Sequence, residues 1–536
     1  MDTRPPRVDT DLLDLGDRRI HHPHRVAVSK KGMIATAHYR ATEAGVEILQ
    51  SGGNAIDAAV AAAFALGVCE PSASGLGGQT MMMIRHEASR RTFALDGSSR
   101  APHRATVESI TKQQRRRGYR ATTVPSTPAV LRYALERCGK LKLARVLQPA
   151  IRLAEEGYEV TPLQYAITKR DLKHLQRRNA AQFFLREGTK PYLIGSQIKQ
   201  PVLAETLRRL AKRGIKDFYS GQIAQQIHDD MVQNEGFIRK DDLAQVPRPI
   251  DRRPITCRFN GLRVFTFPPP GAGRTLVEML NIYQHLPPAY QEMDLPQGAC
   301  ALAETIRRAF IDRQDRPFDP NFFAQVAGKR MLSEEYAKLA SGVIVKRIKT
   351  HGDTTHLSAM DSEGNAVALT QSIERVYGAC VVTPELGFLY NNYMGAFEYE
   401  DMSHPYYMCP NAVPWASVAP TIVFRGKRPW LVIGSPGSER ITSSIFQVLV
   451  RLHDHTPFAA VDAPRLHCSL NGEVALEAAR MRNDIPQALN RCGFTVDVRD
   501  PYSFYLGCVQ LVMQERGRFT GVADPRRDGS AGGPTS

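Results

Sequence analysis

GDTTHLSAMDSEGNAVALTQS, residues 352–372, decides how the chain folds. Residues 354–360 and 365–372 read as strands, and Asp361-Ser362-Glu363-Gly364 between them reads as a hairpin turn whose glycine supplies a positive φ. Pairing Asp361 with Gly364 or Asn365 puts residue 354 opposite residue 371 or 372, which brings the Ser372 hydroxyl beside Thr354. A threonine hydroxyl is a weak nucleophile without an adjacent base, and a chain-terminal amine can be that base. An α-amine titrates at roughly 7.7–8.0, close to what general-base work at neutral pH requires. A cut between Asp353 and Thr354 would therefore place nucleophile and base on one residue. Taken alone, the segment also fits an ordinary hairpin carrying two strand threonines.

Downstream, WLVIGSPGSERITSSIFQVL (430–449) reads as strand, Gly-rich turn and helix. Such turns aim backbone N–H groups at negative charge, so Gly437 and the N–H of Ser438 form a candidate oxyanion hole. A plain strand-to-helix turn is the alternative. GSPGS is not the G-x-S-x-G elbow, which disfavours a conventional serine hydrolase. Upstream, ATEAGVEILQSGGNAIDAAVAAAFALG (41–67) has apolar residues at helical spacing, with Gly52-Gly53 closing one helix and Asn54 capping the next. Its many alanines imply tight packing. EPSASGLGGQTMMMI then reads as a loop entering a buried strand, with Gly75, Gly77 and Gly78 allowing positive φ or close backbone approach. A dinucleotide loop would need the strand before the glycines and the helix after them. Residues 129–138, 149–157 and 204–234 read as helices, and 262–267 as a strand. FPPPGAG (267–273) makes a rigid turn before a helix from Thr275. After Asp353, short alternating runs to about Ile433 read as sheet. The fold class is α/β with layered helices and sheets.

At 536 residues the chain exceeds what one core usually serves, so one large layered domain or two subunits sharing a core is expected. No apolar run approaches the ~20 residues of a membrane span, and residues 1–30 hold no apolar leader core. No membrane association and a cytoplasmic location are the expectation. Nine scattered cysteines without CxxC pairs argue against structural zinc and against a disulfide framework. The net charge of +16 concentrates at 112–120, 169–178, 208–216 and Arg252-Arg253, which read as solvated faces, with attraction of acidic ligands as the functional alternative. No nucleic-acid-binding motif accompanies it, and no nucleic-acid partner is expected. His356 shares a strand face with Thr354 and reads as a structural histidine. His21, His22 and His24 belong to a solvated tail rather than a metal site, Met81–Met83 to strand core, and Cys69, Cys257 and Cys380 to buried apolar positions. Neither a metal nor a cofactor is expected.

The segments SGGNAIDAAVAAAFALGVCEPSASGLGG (51–78), LDGSSRAP (95–102), PAIRLAEEGYEV (149–160), FPPPGAG, DTTHLSAMDSEGNAVALTQSI, LGFLYNN (386–392), GSPGSERI and VADPRRDG (522–529) follow one another over about residues 25–530. In that order they resemble the γ-glutamyltranspeptidase family. The resemblance implies a four-layer αββα sandwich of the N-terminal-nucleophile (Ntn) hydrolases. It implies one precursor cut between Asp353 and Thr354 into a large subunit (25–353) and a small one (354–536), with a higher oligomer left open; from composition, the polar, Pro- and His-rich residues 1–24 read as a flexible tail and the Gly/Ser/Pro-rich residues from 526 as a frayed end. Thr354 would take the acyl group of a small, acidic γ-glutamyl amide and pass it to water or an amine, with Ser372 standing where the family has a threonine.

Several positions depart from the family pattern. The arginine expected to grip the substrate carboxylate reads Ser98, with Arg100 two residues on. The acidic residue for the substrate amine reads Ala396. Two further pocket positions read Glu374 and Tyr393, the paired serines read Ala416-Ser417, and the second oxyanion glycine reads Ser438. The segment 397–414 is shorter than a long lid. The expectation is retained amide chemistry with altered acyl recognition by Arg100, Glu374, Tyr393 and Ser417. An oxamate-type or dicarboxylic acyl amide is the enzymatic alternative. A non-catalytic ligand-binding homologue is the other, although it need not keep Thr354 and Ser372.

Overall fold

The 354–372 hairpin lies at the centre of the molecule, and its two-residue alternation generates the layers. The computed structural model describes residues 24–246, 249–314, 332–342 and 354–535. Asp353 and the expected N-terminal tail, apart from His24, lie outside the described residues. Strands Thr355–Asp361 and Ala366–Ser372 pair antiparallel, with Thr355 opposite Gln371 and Met360 opposite Ala366. Leu357, Ala359, Val367 and Leu369 enter one core, and Met360, Ala366 and Ala368 enter another on the opposite face, as the pleat requires.

Two seven-stranded sheets result. The first runs Ser530–Gly532, Gly32–Thr36, Thr355–Asp361, Ala366–Ser372, Gln79–His86, Arg91–Gly97, Ile250–Arg252. The second runs Val26–Ser29, Arg518–Ala523, Gln510–Glu515, Arg428–Gly434, Thr421–Arg425, Leu262–Thr266, Ile255–Phe259. Met33, Met81, Met83, Phe267, Ile422, Phe424 and Val512 fill the space between them. Helices Tyr39–Gln50 and Ala55–Cys69 cover the first sheet. Helices Gly273–Gln284, Pro296–Gln314 and Arg440–Arg451 cover the second. The order helix, sheet, sheet, helix is the αββα sandwich that the resemblance implies.

Local chemistry explains the helices over the first sheet. Asn54 accepts from the N–H groups of Ile56 and Asp57 while Asp57 accepts from Asn54, a reciprocal capping box. The alanine-rich face that follows lets the helix lie close to the sheet. Met82 points to these helices while Met81 and Met83 point between the sheets.

Three expectations change. The helix read over 204–234 is three helices, Pro201–Arg213, Lys216–Ser220 and Gln222–Gln233; the first ends at Gly214, whose positive φ (81°) closes a helix, and the second at Gly221, whose backbone (φ −105°, ψ −148°) leaves the helical region. The helix read from Pro149 starts at Leu143 and holds the buried proline inside. The chain from 526 is not frayed: Arg526 is fully buried against Glu477 and Asp524, and Ser530–Gly532 closes the edge of the first sheet. Its Gly/Ser/Pro composition suggested a loose end, and long-range ion pairing overrides it.

Candidate active site

Thr354 stands one residue before its strand and is 5% exposed. The register that pairs Thr355 with Gln371 makes Thr354 and Ser372 the next pair outward. Both belong to the even-numbered set that faces the second sheet with His356, Ser358 and Met360.

What lies across the gap follows from that set. Met360 and Val432 share the inter-sheet core. Ser358 Oγ donates to the carbonyl of Gln510 (3.0 Å), the residue paired with Gly434. The His356 ring rests on Gly434 so closely that a Cβ there would clash with Cε1 of the imidazole. Continuing outward along this crossing sets Thr354 against the residues that follow Gly434, the 435–438 turn.

That turn opens the helix Arg440–Arg451. Gly437 (φ 122°) and Ser438 (φ 55°) are both left-handed, and their carbonyls accept from the N–H groups of Arg440 (3.1 Å) and Ile441 (3.0 Å). Ser435 Oγ donates to the Pro436 carbonyl (2.7 Å) and accepts from the N–H of Cys508 (2.9 Å), which pins the turn from behind. Among the described residues no hydrogen bond takes up the N–H of Gly437 or Ser438. Two unclaimed donors at a helix start are the arrangement that stabilises an oxyanion. Ser438 adopts at a cost of about 1 kcal/mol a conformation that glycine takes freely, and it keeps the N–H.

Ser372 Oγ accepts from the N–H of Glu374 (2.8 Å). The Tyr393 phenol is hydrogen-bonded to both Ser372 and Gln79, and burial followed by the charge of Glu374 holds it protonated well above the usual tyrosine range. Gln79, paired with Ser372 across the sheet, accepts through Oε1 from the N–H (2.9 Å) and hydroxyl (3.0 Å) of Ser99. Gly78 is required here, since a Cβ would stand 2.5 Å from the Ser372 carbonyl oxygen. On the opposite face, Thr355 Oγ1 donates to Glu70 (2.5 Å), which pairs with Arg527 (2.6 Å). His356 bonds Thr370 (2.8 Å) and Ser358 (3.1 Å), and burial pushes its pKa down to about 3. It is a neutral ring with both nitrogens committed to its own sheet, and its face packs on Gly434 of the second.

Hydrogen bonds thus join Ser372 to Glu374 and Tyr393, the hairpin register continued by one residue sets Thr354 beside Ser372, and the crossing of the sheets directs that strand end toward Gly437 and Ser438. Ser417, half-buried, lies on the strap leading into Thr421–Arg425. Arg100 is set apart: its Nη1 donates to the Asn411 carbonyl (3.1 Å), and it lines a crevice with Ser98, Ser126 and Val246. It is Ser99, one residue earlier, that reaches the Ser372 side. A cavity of about 530 Å³ bordered by Tyr133, Lys216 and Tyr219 includes none of these groups. Gln79, Glu70 and Arg313 escaped the sequence reading, because each acts through partners distant in the chain. Arg313 stacks 3.6 Å over the ring of Trp415, a hundred residues on, and no local pattern announces the pair.

The sequence matches the family described as Gamma-glutamyltranspeptidase over residues 41–533. It is 32% identical over 548 residues to the glutathione hydrolase proenzyme of Escherichia coli (strain K12), spanning 95% of this chain and 92% of that one. It is 34% identical over 533 residues to the acylase ACY 1 proenzyme of Pseudomonas sp. (strain V22), spanning 94% of each. The fold superposes on the crystal structure of cephalosporin acylase from Bacillus halodurans with a TM-score of 0.87 at 30% identity, covering 95% of this chain and 97% of that one.

Proposed function

We infer the reaction from the premise that the chain belongs to the γ-glutamyltranspeptidase family and is an Ntn-type amidohydrolase. We propose that the precursor cuts itself between Asp353 and Thr354, and that Thr354 then carries the acyl group. Its Oγ attacks the amide carbonyl carbon while its own amine takes the hydroxyl proton. The oxyanion forms against the N–H groups of Gly437 and Ser438. The amine returns the proton to the leaving nitrogen, the C–N bond breaks, and an ester on Thr354 remains. Water or an acceptor amine, deprotonated by the same α-amine, attacks the ester and releases the acid or a new amide. Ser372 holds the nucleophile's hydroxyl in register, and the Tyr393 phenol and the Glu374 N–H fix Ser372. The observation that carries this reading is the hairpin register, which continued by one residue pairs Thr354 with Ser372 at a strand end; the left-handed 437–438 turn supports it.

The acyl group is the finer question. γ-Glutamyl amides, as the name of the E. coli relative suggests, are one reading. A second, an acyl amide lacking the α-amine, is favoured by two observations. Ser98, at the position of the family's carboxylate-binding arginine, is turned back onto Asp96 (2.6 Å). Ala396, at the position of the amine-binding acid, offers no charge. The acylase relatives are consistent with it. We propose the acyl amide without α-amine recognition as the preferred donor, with γ-glutamyl amides slower. Intact masses of the denatured protein test the nucleophile: wild type is expected as fragments 1–353 and 354–536, and Thr354→Ala as one 59.6 kDa chain. An uncut wild type would sink the mechanism. Initial rates on glutaryl- and γ-glutamyl-p-nitroanilide then decide the donor.

A further inference from the structure

Arg313 lies in the last turn of the helix Pro296–Gln314. A basic residue there ordinarily serves the final carbonyls of its own helix. This one does not. Its guanidinium lies 3.6 Å from the centre of the Trp415 ring and 5.8 Å from that of Phe310. Nη1 and Nη2 are both shielded from water, and neither has a hydrogen-bond partner among the described residues. Burial pushes its pKa down to about 10, opposed by the charge of Glu439 and then of Tyr406, so the group stays cationic at neutral pH. A buried cation whose strongest donors are unused is costly to fold around, and a ligand that accepts from both donors would remove that cost.

The surroundings say which ligand. Glu439 directly follows Ser438 of the oxyanion turn. Trp415 stands two residues before Ser417. Tyr406 is buried within the 397–414 segment that leaves the Tyr393–Ala396 turn beside Ser372. Segments that continue the oxyanion turn, the Tyr393–Ala396 turn and the strap into Thr421–Arg425 therefore all border Arg313. Its two free terminal nitrogens form a planar fork, held flat by the indole, and that shape matches a carboxylate through two parallel hydrogen bonds. We propose that Arg313, braced by Trp415, is the specificity residue that anchors a carboxylate at the far end of the acyl donor. The proposal rests on the amidase reading above. It assigns to a residue from another element the task that Ser98 no longer performs.

Glutarate and valerate differ only in the distal carboxylate. Calorimetric titration of the purified full chain is expected to give glutarate an affinity about 30-fold above valerate. Arg313→Met should bring the two within about 3-fold of each other, and Arg313→Lys, which keeps charge but loses the planar fork, should weaken glutarate about 10-fold. Equal binding of the two acids by wild type overturns the proposal, as does a preference that survives Arg313→Met. If the methionine variant does not fold, the lysine variant is read alone, and an unchanged glutarate affinity overturns the proposal. A loss of glycylglycine binding in Arg313→Met with glutarate unaffected also overturns it, by moving the anion to the acceptor. Hydrolysis of glutaryl-p-nitroanilide is measured in parallel. Intact discrimination without hydrolysis sinks the amidase reading alone, and hydrolysis without discrimination sinks the anchor alone.

Discussion

At the residue scale, the groups proposed to serve Thr354 as nucleophile divide into those that would act through a side chain and those that would act through a backbone N–H. Ser372 is of the first kind. Removing its hydroxyl deletes the acceptor of the Glu374 N–H and the partner of the Tyr393 phenol and, in the proposed mechanism, the group that holds the Thr354 hydroxyl; at about 1.4 kcal/mol for that last bond, Ser372→Ala should lower kcat about tenfold while self-cleavage slows but completes. Ser438 is of the second kind. Ser438→Gly keeps the N–H and relieves the left-handed strain, so kcat should stay within about 3-fold of wild type. Ser438→Pro deletes the donor and, because proline cannot take φ 55°, also disrupts the turn, so it should cost at least about 10²–10³-fold. Equal losses in both variants would remove the oxyanion role. His356 makes a separate prediction about pH. Its folded pKa of about 3 lies below the ordinary 6.5. Between those values the unfolded chain holds the proton and the folded chain does not, so stability rises with pH across that window. The contribution is complete above pH 6.5 and fades as pH falls toward 3. Urea midpoints measured from pH 7 to pH 4 should fall less steeply in His356→Gln, by up to one proton's worth of slope. A wild-type slope in that variant would show that the ring titrates normally.

At the element scale, the crossing of Thr355–Asp361 over Arg428–Gly434 sets the distance between the proposed nucleophile and the 435–438 turn. Gly434 is the spacer, because the imidazole occupies the volume of a Cβ there. Gly434→Ala should force the sheets apart, costing about 1–3 kcal/mol of stability and more in kcat than in KM, as the oxyanion donors move off the reacting carbon. Thermal melts and steady-state kinetics check both, and a fully active, equally stable variant would show that the spacing is not critical. This juxtaposition also marks the limit of what the sequence disclosed. The hairpin register, the Asn54 cap, the strand through Met81–Met83 and the close approach at Gly78 were legible, since each is set by period, turn chemistry or glycine placement within a few residues. The burial of Arg526, the stacking of Arg313 on Trp415 and the turn of Arg100 toward Asn411 were not. Each depends on two segments whose meeting is decided by the packing of layers, and arginine in a basic chain carries no local mark of its partner. Helix breaks at Gly214 and Gly221 were missed for the opposite reason: apolar periodicity continues through them, and only the backbone conformation registers the stop.

At the scale of the whole molecule, the position of the proposed cut matters more than the cut itself. Neither sheet is built from one side of Thr354. In the first, Gly32–Thr36 is flanked by Thr355–Asp361 and Ser530–Gly532, and Ala366–Ser372 is flanked by Thr355–Asp361 and Gln79–His86. In the second, Val26–Ser29 pairs with Arg518–Ala523, and Leu262–Thr266 pairs with Thr421–Arg425. A buried ion pair and buried hydrogen bonds stitch the same halves together, with Arg527 on Glu70 and Arg25 Nη1 donating to the backbone carbonyls of Asp524 (2.9 Å) and Arg527 (3.0 Å). A chain broken at 353–354 therefore loses one covalent bond and none of its sheet pairing. The fragments should co-elute in size exclusion without denaturant and unfold in one transition. Separation requires exposing the methionine-rich core between the sheets, which is the global unfolding event itself. Two resolved melting transitions, or fragments that part under native conditions, would mean that the interleaved strands contribute less than the layered core implies. The large and small fragments would then be separate domains joined by a processed linker.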